Sequence, residues 1–89
     1  SGADHRAEIE IPFEEAYRGV QRQILLASPT GEQRTIDLTI PAGIKSGTTL
    51  RLAGKGGEGE APGDLLIKVR VKADPKYRVE GADVVAMLD

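Results

Sequence analysis

Gly54-Lys55-Gly56-Gly57-Glu58-Gly59 has the G-x-G-x-x-G spacing that cradles a pyrophosphate when a helix N-terminus follows it. Here Glu60-Ala61-Pro62-Gly63-Asp64 and then a strand follow, and Glu58 and Glu60 would repel phosphate. No Ser or Thr comes after the Gly-Lys pair, so a P-loop is absent as well. The segment is read as a mobile hairpin loop. Carboxylates are paired at Glu8/Glu10 and at Glu14/Glu15. Glycoside hydrolysis needs two carboxyls facing each other across a cleft, one of them with a raised pKa. Glu8 and Glu10 instead share the solvent side of one strand, and Glu14 and Glu15 open a helix. His5 is the single histidine and there is no cysteine, which excludes disulfides, zinc fingers and thiol catalysis. With no assembled nucleophile and base, the chain is read as non-enzymatic, without cofactor or metal.

What remains is binding chemistry. Arg22, Lys68, Arg70 and Lys72 sit on strands beside apolar residues, either guarding an edge against aggregation or contacting a ligand. Ile9, Ile11, Ile24, Leu26 and Tyr77 are a surplus of apolar side chains for a thin two-layer core. They are ordinary core, or they line a groove beside a strand edge where an extended peptide is captured.

The elements that must position these residues belong to one small domain. The chain has 89 residues, 39% hydrophobic but only 3% aromatic, so its core is aliphatic. Twelve basic and fourteen acidic residues leave a net charge of −2, a poor footprint for a nucleic-acid binder. No apolar run approaches the roughly 18–20 residues that span a bilayer. Ser1-Gly2-Ala3 reads as a tag remnant, and no signal peptide is visible. A cytoplasmic protein is expected, with residues 1–6 disordered and a domain over 7–89.

Alternation from Ala7 to Ile11 predicts a first strand, ended by Pro12. Phe13 to Arg18 predicts a short helix, with acids early, Arg18 late, and Phe13 and Tyr17 on one side. Gly19 suits its C-terminal cap. Val20 to Ala27 reads as a second strand, although the run Ile24-Leu25-Leu26 blurs the alternation. Ser28-Pro29-Thr30-Gly31 is turn chemistry, and Thr35 to Ile40 completes a hairpin. Further strands are expected over Thr48–Ala53, Asp64–Lys72 and Asp83–Leu88. Asp74 to Tyr77 reads as a turn carrying an aromatic, and Glu80-Gly81 as another. The result is a mainly β fold, a small two-sheet β-sandwich or open barrel of five or six strands with one short helix.

Several segments together resemble one family. Ile9-Glu-Ile-Pro-Phe-Glu-Glu-Ala-Tyr-Arg-Gly19 looks like the opening of the first C-terminal domain of DnaJ-family J-domain co-chaperones. Ile36-Asp-Leu-Thr-Ile-Pro-Ala-Gly-Ile-Lys-Ser-Gly47 resembles its signature of a hydrophobic strand followed by Ile-Pro-x-Gly-Val-x-x-Gly. Leu50-Arg-Leu-Ala-Gly-Lys-Gly-Gly57 resembles its Leu-Arg-Leu-x-Gly-x-Gly segment. Pro62 to Val71 and Asp74 to Asp83 complete the order. The J-domain with its His-Pro-Asp tripeptide is absent, as are the four Cys-x-x-Cys pairs of the zinc-binding members. Ser28 to Gly31 closes that position with a plain turn, which resembles the zinc-free subclass, class B. The family's second C-terminal domain and dimerisation tail are also absent, so an excised, monomeric fragment of a homodimeric parent is expected.

The resemblance implies a domain that binds unfolded client polypeptide in a shallow apolar groove, for delivery to a DnaK-type chaperone. Carried over residue by residue, the peptide-binding positions are Ile9, Ile24 and Leu26, with Tyr77 at the aromatic of the family's Pro-x-Phe segment. Ala7 stands where some relatives have a bulkier aliphatic, making that end shallower. An extended client segment is expected to add alongside the second strand, with one or two large aliphatic or aromatic side chains in the groove. In zinc-free relatives basic residues beside the groove also receive the partner chaperone's acidic C-terminal tail. Arg22 matches one such position, whereas the turn Thr30 to Gln33 carries an acid. The alternative expectation is a structural spacer with no groove.

Overall fold

The computed structural model describes residues 3–28, 30–57, 62–80 and 84–87, for the last two elements as backbone only. In chain order the elements are β1 (His5–Pro12), α1 (Phe13–Arg18), β2 (Val20–Ala27), β3 (Gln33–Ile40), β4 (Thr48–Leu52), β5 (Leu65–Lys72), β6 (Tyr77–Glu80) and β7 (Val84–Met87).

β5 is the hub, with Leu65, Ile67, Val69 and Val71 on its inner row and Lys68, Arg70 and Lys72 on its outer one. It pairs in parallel with β1, Ile9 opposite Val69 and Ile11 opposite Val71. On its other side it pairs antiparallel with β4, Leu50 opposite Ile67 and Leu52 opposite Leu65. The three strands form one mixed sheet in the order β1-β5-β4. β2 and β3 form a separate antiparallel hairpin, Ile24 opposite Ile36 and Val20 opposite Ile40. The inner rows of the two sheets meet in a core of Ile11, Ala16, Ile36, Leu38, Ile40, Leu65, Ile67 and Val69. Fully burying each Ile, Leu or Val contributes about 1.5–3 kcal/mol, and Ile67 and Val69 are 0% exposed. The architecture is mainly β, two facing sheets with one short helix, as the alternation predicts.

α1 closes one end of this core through Ala16. The Gly19 amide donates to the Glu15 carbonyl at 2.8 Å and so caps it. Gly19 is needed there twice over. Its φ is +82°, and a Cβ would lie 3.0 Å from the Ala42 nitrogen. The 41–47 segment packs back on the helix, Gly43 N–H donating to Ala16 O at 2.8 Å. Phe13 and Tyr17 stack with their centroids 6.5 Å apart, on one side of the helix as their spacing predicts.

Several boundaries and one element differ from the sequence reading. β1 begins at His5, whose amide donates to Asp64 O at 2.9 Å, so the ladder starts before the alternation does. The Leu25 side chain is 62% exposed while Ile24 and Leu26 are half-buried, so β2 keeps its alternation through the apolar run. Asp74 does open a turn, its Oδ1 accepting from Lys76 N–H at 2.9 Å. The segment after it is a strand, however, since β6 pairs with β7. Four residues bounded by turn signals are too few for alternation to register. With this third, two-stranded sheet the protein is elongated, 51 × 22 × 17 Å.

Candidate functional site

Among the described residues β1 pairs only with β5, and β2 only with β3, so each has one edge without a strand partner there. Between the start of β1 and the end of β2 lies a groove of about 270 Å³. Its apolar surface comes from Ala7, Leu26 and Ala27 over the buried Leu65, and the rest of its lining is polar, with His5, Arg6, Glu32 and Arg34. Strand pleat explains the lining. Ala7 is in phase with Ile9 and Ile11, and Leu26 with Ile24 and Val20, so both point to the side where the sheets face each other. At the ends of the strands the sheets no longer close on one another, and these side chains are left half-buried.

The predicted residues divide along this line. Leu26 and Ala7 are brought together in the groove. Ile9 and Ile24 are half-buried and pack against the core cluster, further along the same faces. Arg22 is exposed at the opposite end of β2. There its Nε and one terminal nitrogen donate to the two carboxylate oxygens of Glu15, each at 2.7 Å. Tyr77 is the first residue of β6; its side chain lies outside the described residues.

Arg34 and His5 are groove residues that the sequence reading passed over. Arg34 had a signal: it is in phase with Ile36, Leu38 and Ile40, so it stands on the core-facing row of β3, opposite Leu26. Its guanidinium donates to Lys55 O at 2.5 Å, tying the hairpin to the segment between β4 and β5. His5 had none, because it precedes the alternating stretch.

The glycine segment forms the other wall. Gly56 is buried, and its amide donates to Gly63 O at 2.8 Å. Asp64 holds the base. Its Oδ1 accepts from Gly54 N–H at 2.9 Å and its Oδ2 from Arg51 at 2.5 Å. The Gly54 amide first, and the Arg51 guanidinium second, keep the Asp64 carboxyl below its ordinary 3.8. The loop read as mobile is tied by hydrogen bonds at Gly54, Lys55, Gly56 and Gly63, and its residues 58–61 lie outside the described residues. A strand follows it, not a helix, so it lacks the geometry of a phosphate cradle.

The strand cations are not edge guards as a group. Lys68, Arg70 and Lys72 lie on the outer face of β5, the central strand, and Arg70 is paired with Glu8 of β1. Arg18 pairs with Glu14 at 3.2 Å and Arg51 with Asp64. Among the described residues no group of three or more His, Cys, Asp or Glu is placed to hold a metal ion. No helix among them is long and apolar enough to cross a membrane.

A chaperone protein DnaJ 2 of Thermus thermophilus is 41% identical over 88 residues, 99% of this chain and 30% of that protein. A chaperone protein DnaJ of Gluconacetobacter diazotrophicus is 46% identical over 58% of the chain. A curved DNA-binding protein of Coxiella burnetii is 34% identical over 93% of the chain and 30% of its own length. The chain thus spans about 30% of the relatives it matches nearly end to end. The family model described as the DnaJ C terminal domain matches residues 5–89, and by that coverage this chain belongs to the DnaJ C-terminal domain family.

Proposed function

We propose that this domain binds extended, unfolded client polypeptide as the first C-terminal domain of a zinc-free J-domain co-chaperone that delivers clients to a DnaK-type chaperone. The observation that carries this is the groove between β1 and β2, apolar at Ala7 and Leu26 and flanked by two strands that each have an unpaired edge among the described residues. A client segment adding alongside β2 satisfies its backbone on that edge and places apolar side chains in the groove. Leu26 is the central contact. Ile9 and Ile24, half-buried further along the same faces, extend the apolar track, and Tyr77 and Arg22 are assigned to peptide binding on the family resemblance alone.

A groove of this size gives weak binding, micromolar or weaker, about −8 kcal/mol or smaller in magnitude. Weak binding suits a holdase that passes its client on. The Ser28–Glu32 turn, closed by Ser28 N–H to Glu32 O at 2.8 Å, leaves a plain connection where a zinc-binding insertion would stand. Partners other than protein are not part of this reading. Net charge is −2, and Arg18, Arg22, Arg51 and Arg70 are each matched by an acid, which leaves little excess charge for phosphates. The site of action is the cytoplasm.

The test is an amide NMR titration of the domain with a short, apolar, extended peptide. Shifts centred on Ala7, Leu26 and the Gly56–Gly57 segment support client binding. A folded domain with no shifts at millimolar peptide is a spacer instead.

A further inference from the structure

We propose that Arg34 sets the width of the groove and thereby selects the size of the side chain that a bound segment inserts. The inference rests on the client-binding reading for its substrate, but on separate observations for its geometry. Among the described residues β2–β3 and β1-β5-β4 share no strand pairing. At the groove the Arg34–Lys55 hydrogen bond joins them, from the core-facing row of β3 to the carbonyl next to Gly56. Arg34 stands opposite Leu26, the central apolar contact, and both border the cavity.

The wall that Arg34 holds is the Lys55–Gly57 stretch, itself fixed by the Gly56 N–H bond to Gly63 O at 2.8 Å. The guanidinium opposes its motion away from β3. The planar fork has five N–H donors and reaches a fixed carbonyl at small conformational cost. The tie therefore fixes the spacing between β3 and the wall, and its loss lets the wall move away in favour of a larger side chain. Arg34 acts as a positioning residue through Lys55 and not as a charge for the ligand.

The test compares wild type, Arg34→Ala, Arg34→Lys and Arg34→Gln, all in this chain. In the free protein, amide shifts of Lys55, Gly56 and Gly57 report the wall. Binding is read with capped nine-residue peptides identical except for a central Val, Leu or Phe. One extra group in an apolar pocket discriminates by about tenfold or more, so Arg34→Ala is expected to move the Phe-to-Val affinity ratio about tenfold toward Phe. Arg34→Lys and Arg34→Gln retain a donor and restore the wild-type ratio at least in part, the uncharged Gln separating the tie from the charge. Thermal midpoints identify a variant that fails to fold, and Arg34→Gln then carries the comparison. Unchanged wall shifts in folded Arg34→Ala overturn the proposal whether or not peptide binds. Altered wall shifts with an unchanged ratio overturn it too. If wild type binds none of the peptides, the client reading fails, and size selection fails with it.

Discussion

Arg22 and Glu15 are joined by two parallel hydrogen bonds of 2.7 Å, across the junction of β2 and α1. The cation that the sequence offers to an acidic ligand is therefore already engaged within the chain. Both side chains are partly exposed, so the pair contributes about 1 kcal/mol or less. Glu15→Gln is expected to raise affinity for an acidic peptide at low salt by a few-fold, and Arg22→Ala to leave apolar-peptide affinity within about threefold. Fluorescence anisotropy at two salt concentrations checks both. Equal acidic-peptide affinity in wild type and Glu15→Gln would show that Arg22 is not a recognition residue.

Leu26 and Ile24 are on the same row of β2 and both pack against the core cluster, but only Leu26 also lines the groove. Leu26→Asp places a charge on the groove surface and is expected to weaken apolar-peptide binding at least about tenfold, with the fold retained. Ile24→Ala removes half-buried packing against the core. It is expected to destabilise by about 1–2 kcal/mol, below the 2–5 kcal/mol of a fully buried site. Urea unfolding followed by peptide titration separates the two effects. A larger stability loss in Leu26→Asp than in Ile24→Ala would place Leu26 in the core.

Gly56 is a steric necessity. With Gly63 C, Gly63 O and Asp64 O all within 2.8 Å of a Cβ, Gly56→Ala must displace backbone. Overpacking of this kind costs about 1–3 kcal/mol. Gly57→Ala meets only the His5 ring edge at 3.4 Å and is expected to be far milder. Chemical denaturation of both variants decides this, and equal losses would refute the crowding argument.

Asp64 gives a pH signature. Its carboxyl is lower in the folded state than its ordinary 3.8, because Gly54 N–H and Arg51 favour the ionised form. The stabilisation is therefore fully present above about pH 4 and is lost as pH falls through the lowered folded value. The thermal midpoint of wild type should exceed that of Asp64→Asn near pH 6, with the gap narrowing toward pH 3. A gap that stays constant over that range would show that ionisation of Asp64 is not involved.

The strands and their buried rows were legible because period-2 alternation is a local property. Ile36, Leu38 and Ile40 announce an inward face, and so do Leu65, Ile67, Val69 and Val71. The run Ile24-Leu25-Leu26 blurred that pattern in β2, and the structure singles out Leu25 as its exposed member. β6 was hidden, because Tyr77 to Glu80 is too short to show a period.

Sequence alone determined the family, the mainly β class, the aliphatic core and the absence of disulfide or thiol chemistry. Tertiary structure decided that β1 pairs in parallel with β5, some sixty residues away, since alternation names a buried face but not the strand that will cover it. It decided that Arg34 and Gly56 border one cavity with Leu26, and that Arg22 is engaged by Glu15. Those contacts join residues distant in the chain or on different elements, and their geometry exists only once the two sheets have met.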